Sequence, residues 1–345
     1  KCLSTLVAAL DFVAGMLPSS EAAAQAALRE CSGLATHIAD VSTIPPADAT
    51  SRCRIVEAVV SRVRDLGSSG GIMCVPIGWE HGAGVGGHVL LLVLSCAEPG
   101  GDITVSVCNA GAGCRYHPHR PDTSTAALLL MLPLRIGDVP KDRLASSTWW
   151  FLVLRPLLWA DASHGPAALY EQLLPHLTRR PVLASVASDG HSRGGDDDNE
   201  WLPTPASTDG GAGLVMQALS AMWRDAGRLP RAERGRHSLC VQLAILQRAE
   251  AQLSGLRSPL PAAEAALIRL ACRQLANLAA QLVSAGDDEA TGAATSTLEL
   301  IERLSGTLRH ANVRDAPPTL SISPGAEAGA HSTRFPLFGW LRHDL

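Results

Sequence analysis

Gly86-Gly87-His88-Val89-Leu90-Leu91-Leu92-Val93-Leu94 and Ile103-Thr104-Val105-Ser106-Val107-Cys108-Asn109, separated by Glu98-Pro99-Gly100-Gly101-Asp102, decide how this chain reads. Apolar, β-branched runs bounded by Gly and Pro predict two strands of an antiparallel hairpin. The glycine pair releases a histidine at the mouth of the first strand, and the second ends on an asparagine. Paired strands lie about 4.8 Å apart, so a hairpin of this length is expected to set His88 opposite Asn109. An imidazole oriented by a carboxamide is the acid/base half of a thiol hydrolase. The plainer alternative is a glycine-rich turn into a buried strand, with His88 satisfied by backbone and Asn109 capping a turn.

Outward from the hairpin, further β-type sequence falls at 72–77, with 133–139 and 181–187 as additional strands. Before it, 1–66 reads as helices. Leu3, Leu6, Val7, Leu10, Val13 and Leu17 recur at helical spacing, and Ile55, Val56, Val59, Val60 and Val63 share one side of a later helix. After it, 147–160 and 166–177 are helical, the latter with Leu169, Leu173, Leu174 and Leu177 as its stripe. The organisation expected is a helical segment at 1–66, an α+β core at 67–188, an acidic loop at 189–209, a helical region at 210–312 and a disordered tail at 313–345. The fold class is therefore α+β: a small antiparallel sheet flanked by helices, followed by a mainly helical region.

The 345 residues are 46% hydrophobic but only 4% aromatic, so alanine and leucine carry the core and favour closely packed helices. A net charge of −4 gives no reason to expect nucleic acid or an anionic membrane as partner. No apolar run reaches the roughly 18 residues that would span a bilayer. The nine cysteines are irregularly spaced, unlike a disulfide framework, which implies reduced thiols and an intracellular, cytoplasmic setting.

Three further motifs fail on context. Gly82-Ala83-Gly84-Val85-Gly86-Gly87 fits a dinucleotide fingerprint, but a strand follows where a helix is required. Gly190-His191-Ser192-Arg193-Gly194 fits a nucleophile elbow, but the acidic stretch after it is poor helix material. Cys108, Cys114, His117 and His119 offer four zinc donors, though at a spacing that matches no zinc knuckle. No metal and no cofactor is expected.

The run Ile77-Gly78-Trp79, Gly87-His88-Val89, then Asn109-Ala110-Gly111-Ala112-Gly113 and Tyr116-His117-Pro118 resembles a pattern found in very large eukaryotic proteins. There it reads Gly-Gly-Trp, Gly-His-Ala, Asn-Thr-Gly-Ala-Gly and Tyr-His, and those proteins are classed as ubiquitinyl-hydrolase-like, papain-like cysteine peptidases. The likeness covers about residues 72–118 and continues loosely through 149–177. It implies ubiquitin or a ubiquitin-like protein as partner, His88 as general base then acid, and Asn109 as the group orienting it. It also implies that Trp79 shields the pair or lines a groove for an extended glycine-rich tail.

The family pattern places its cysteine at a helix start further downstream, a position whose free N–H groups and dipole favour a thiolate. The corresponding place here is Asp209-Gly210-Gly211-Ala212-Gly213-Leu214, which contains no sulfur. Cys53, after Thr50-Ser51 at a helix start, and Cys240, close to His237 and Ser238, are the candidate substitutes. Cys31, Cys74, Cys96 and Cys272 read as core. The sequence thus leaves open an active peptidase, an inactive pseudoenzyme, and a non-catalytic helical scaffold or ubiquitin-binding module.

Overall fold

The structure, a computed structural model, describes residues 2–17, 19–42, 49–79, 88–109, 113, 116–117, 119–121, 129–131, 133–159, 165–178, 204–205, 210–225, 247, 268, 272, 276 and 297–304. The segments at 82–87, 181–187, 190–194 and 313–345, and Cys240, lie outside the described residues. The chain separates into two compact units, Lys1–Ile245 and Leu246–Leu345.

In the first unit, α1 (Cys2–Met16), α2 (Ala22–Ser42) and α3 (Ala49–Ser69) precede β1 (Gly71–Trp79), β2 (His88–Cys96) and β3 (Ile103–Cys108). β4 (His119–Pro121), β5 (Leu129–Met131), β6 (Leu134–Val139), α4 (Lys141–Leu144) and α5 (Ser147–Leu158) follow. α6 begins as a π-helical turn, Ala168–Leu173, and continues as the α-helix Leu174–Thr178. β7 (Thr204–Pro205) and α7 (Gly210–Asp225) complete the unit. The main sheet is four-stranded, antiparallel throughout, in the order β1-β2-β3-β6; a second small sheet has the order β4-β5-β7. The class is α+β.

Both faces of the main sheet are covered, and β2 is buried from Val89 to Cys96. Strand alternation sends Met73, Val75, Ile77 and Trp79 to the same side as Leu90, Leu92, Leu94, Val105 and Val107, where they pack with apolar residues of α3, α5 and α6. The opposite side meets α2 and α7, with α1 lying against both helices. There Cys31 of α2 hydrogen-bonds Cys74 of β1, and Ser106 of β3 reaches Asp225 of α7. The helices of 1–66 and 210–225 thus pack on the hairpin sheet inside one unit.

Local chemistry explains the well-bounded elements. Ser146 caps α5 by accepting from the Trp149 amide, and Pro156 sits in its last turn, where the helix ends. On α3, apolar residues three and four apart bury Ile55, Val56, Val59, Val60 and Val63 as one continuous core face. One sequence expectation needs correction: part of the stretch read as an acidic loop, Thr204–Pro205, is a strand that pairs with β5. In the second unit the described residues are helical, and Leu300, Ile301 and Leu304 are buried on the helix at 297–304.

Candidate functional site

The β1–β2 register pairs Trp79 with His88, and the β2–β3 register pairs Leu91 with Cys108. One step further along that ladder, Asn109 falls beside Leu90. His88 and Asn109 are therefore diagonal neighbours on one face, not directly opposite as the hairpin length suggested. Diagonal positions remain within reach of long side chains. The His88 Nε2–H donates to Asn109 Oδ1 at 2.8 Å. The imidazole is half-buried and Asn109 is fully buried.

Two close approaches shape this corner. A Cβ on Gly78 would stand 2.1 Å from the His88 carbonyl oxygen, so only glycine allows β1 this near to the histidine. At Gly113, where φ is +91°, a Cβ would press on Tyr170 and Pro166 and lie 3.3 Å from Asn109 Nδ2. Trp79 is buried, with its ring 5.1 Å from the His88 ring and tilted by 43°. It covers the imidazole from the β1 side and also lines a small apolar cavity with Pro156 and Leu169.

Asn109 is held at every polar group by residues distant in sequence. Its amide N–H donates to Gln217 Oε1 at 2.8 Å, and its carbonyl accepts from Gln217 Nε2 at 2.9 Å. Its side-chain Nδ2 donates to the Tyr170 hydroxyl at 3.0 Å. That hydroxyl also lies 2.6 Å from His117 Nε2. The Tyr116 ring stacks on Tyr170 at 4.6 Å, and the Tyr116 hydroxyl donates to Glu171.

These partners escape a sequence reading. Tyr116 and His117 stand out only as part of a motif, and Gln217 and Tyr170 only as members of helical runs. A signal for Gln217 exists: it is a glutamine in a helix whose neighbours Met216, Ala218 and Leu219 are all buried. A polar side chain enclosed on such a helix must find a partner.

The candidate nucleophiles are placed as follows. Cys53 is a free thiol exposed on α3. Cys74 and Cys108 lie on the opposite face of the sheet from His88, and Cys96 is at the far end of β2. Burial pushes the Cys108 thiol well above its ordinary range, with Cys74 and Asp225 adding to the effect. Burial, and then the hydrogen bond to Cys74, do the same for Cys31. Such thiols stay protonated and inert.

Ala212, which with its neighbours in 209–214 stands where the resemblance calls for a cysteine, falls in the first turn of α7. α7 passes Asn109 at Gln217 and ends at Ser106 with Asp225. It therefore runs antiparallel to β3, on the face of the sheet opposite to the His88 and Asn109 side chains. Among the described residues no cluster of His, Cys, Asp or Glu is placed to hold a metal ion, and no helix is long and apolar enough to cross a membrane. Of the four zinc donors considered, Cys114 lies outside the described residues and His119 falls in β4. Cys108 faces α7 and α2, whereas His117 bonds Tyr170.

No family model matches the chain, and comparison with curated proteins and with solved structures finds no match.

Proposed function

We propose that the first unit is a papain-like, ubiquitinyl-hydrolase-like domain that recognises the extended tail of ubiquitin or a ubiquitin-like protein and is an inactive pseudoenzyme. The observation that carries this reading is the 2.8 Å bond between His88 Nε2 and Asn109 Oδ1. A neutral imidazole that donates from Nε2 carries its lone pair on Nδ1, the state in which it can take a proton from a thiol.

Loss of catalysis follows from the helix start. A thioester needs sulfur, and Ala212 occupies the turn where dipole and free N–H groups would stabilise a thiolate. An oxyanion or a substrate carbonyl can still be bound at such a helix end, so recognition outlasts chemistry. Trp79, packed on the imidazole, fits the shielding role better than that of an open groove wall.

The test is incubation of the full chain with ubiquitin bearing a C-terminal electrophile, together with passage over immobilised ubiquitin. Retention without an adduct is the expected result. An adduct at Cys53 or Cys240 that vanishes in His88→Ala would make the protein an active peptidase. Neither adduct nor retention would leave a helical scaffold in which the hairpin is core.

A further inference from the structure

Cys31 of α2 and Cys74 of β1 meet thiol to thiol beneath the sheet; both are free, and both are at most 1% exposed. The sequence brings them together from both sides. In β1, alternation turns Met73 and Val75 toward α3 and α5, and Cys74 toward α2. In α2, Ala27 and Ala35 stand one turn before and one turn after Cys31, each at most 2% exposed. Two such small side chains let the helix backbone come close to the strand, as a short cysteine side chain requires in order to bridge. Other thiols of the unit are set apart. Cys108 shares the face, but β2 lies between its strand and β1, so its backbone is about 10 Å from that of Cys74. That exceeds the roughly 7 Å limit for bridged Cα atoms. Cys96 points to the other face, and Cys53 is exposed on α3.

We propose that Cys31 and Cys74 are a disulfide-forming site, a dithiol that a small-molecule disulfide such as oxidised glutathione converts into a covalent staple between α2 and β1. One cysteine, as thiolate, attacks a sulfur of the small disulfide; a mixed disulfide forms and one small thiolate leaves. The second cysteine then attacks the protein sulfur of that mixed disulfide, and the second small thiolate leaves. The two departing thiolates take up the two protons, so two protein thiols are oxidised and one small disulfide is reduced to two thiols. Both sulfurs are enclosed, and exchange therefore goes through brief lifting of α2 from β1. Enclosure sets the rate, whereas contact in the folded chain sets where the equilibrium lies. In the folded chain the sulfurs are already neighbours; in the unfolded chain, closing the loop from 31 to 74 costs conformational entropy. Folding favours the link, and the link favours the fold by the same factor. No part of this step draws on His88, so the site stands apart from the reading of the strand-end pair.

The experiment equilibrates the full chain in glutathione buffers of stepped thiol-to-disulfide ratio, with and without urea, and maps linked peptides by mass spectrometry after acid quenching. The expected result is a Cys31–Cys74 link in the folded chain. Its equilibrium constant should exceed that in urea at least about tenfold, a conservative share of what closing a loop of this length provides. Cys108→Ala leaves the link and its constant unchanged, whereas Cys74→Ala abolishes the link. Should Cys74→Ala fail to fold, Cys31→Ala takes its place, and the wild-type constants carry the test by themselves. Three results overturn the proposal: Cys31 and Cys74 both recovered as thiols in buffers that oxidise the unfolded chain, a link that joins either of them chiefly to another cysteine, or a constant that the fold raises by less than that factor.

Discussion

Two polar networks tie α7 to β3, one at Gln217 and the other at Asp225, and they are built differently. At Asp225 the carboxylate takes the Ser106 hydroxyl at 2.8 Å on one oxygen and Arg135 Nε at 2.8 Å on the other. Its partners come from β3 and β6, and they serve to hold the helix end against the sheet. At Gln217 the side-chain amide binds the Asn109 backbone twice, leaving the Asn109 side chain available to His88 and Tyr170. The first network is an anchor. The second is an anchor with further side-chain hydrogen bonds mounted on it. Both ends bury polar groups; only the Gln217 end leads on, through Asn109, to a half-buried imidazole.

Three substitutions separate the two ends, and a pH series reads the thiols beneath the sheet. Gly78→Ala should have the largest effect, because its Cβ would meet the His88 backbone at 2.1 Å and force β1 away from β2. A loss of about 3 kcal/mol is expected from urea unfolding, with the His88 ring signals displaced and the Asp225 end unaffected. Asp225→Ala should cost about 2–3 kcal/mol, less than for a fully enclosed pair because Arg135 can turn to water. Its distinguishing outcome is an unchanged His88 tautomer; a changed one would mean that the two networks are coupled.

Gln217→Leu should cost about 2 kcal/mol, since two buried backbone groups of Asn109 lose their partners. Unlike Asp225→Ala, it should also broaden or shift the His88 ring signals. The smallest effect concerns the thiols beneath the sheet. Burial holds the folded-state pKa of Cys31 and Cys108 above that of the unfolded chain, so their contribution to stability is fully present below about pH 8.5. It is lost as pH rises, at no more than about 1.4 kcal/mol per pH unit for each thiol. The urea midpoint should therefore fall between about pH 8 and pH 10, and fall less steeply in Cys108→Ala.

The sheet was far more legible than the site's supports. Strong apolar runs bounded by Gly and Pro located β2 and β3, with β3 ending one residue before Asn109. Helical periodicity found α1 to α3 and α5. Short elements escaped, since β4 and β5 have three residues each and β7 has two, too few for any period to show. Tyr170 was hidden by the π turn, which breaks the spacing by which its leucine neighbours were read. The links from Asn109 to Tyr170 and Gln217 span 61 and 108 residues. No local pattern encodes such pairings; they come from how the helices pack on the sheet.

The proposed pseudoenzyme is tested most directly by placing a sulfur at the start of α7. Ala212→Cys should create a thiol that reacts with a C-terminal ubiquitin electrophile, at a rate lowered at least about a hundredfold by His88→Ala, the lower end of what a positioned base contributes. A thiol at that helix start that remains unreactive, or reacts equally well without the imidazole, would mean that the strand-end pair never faced a nucleophile and that its hydrogen bonds only hold the fold.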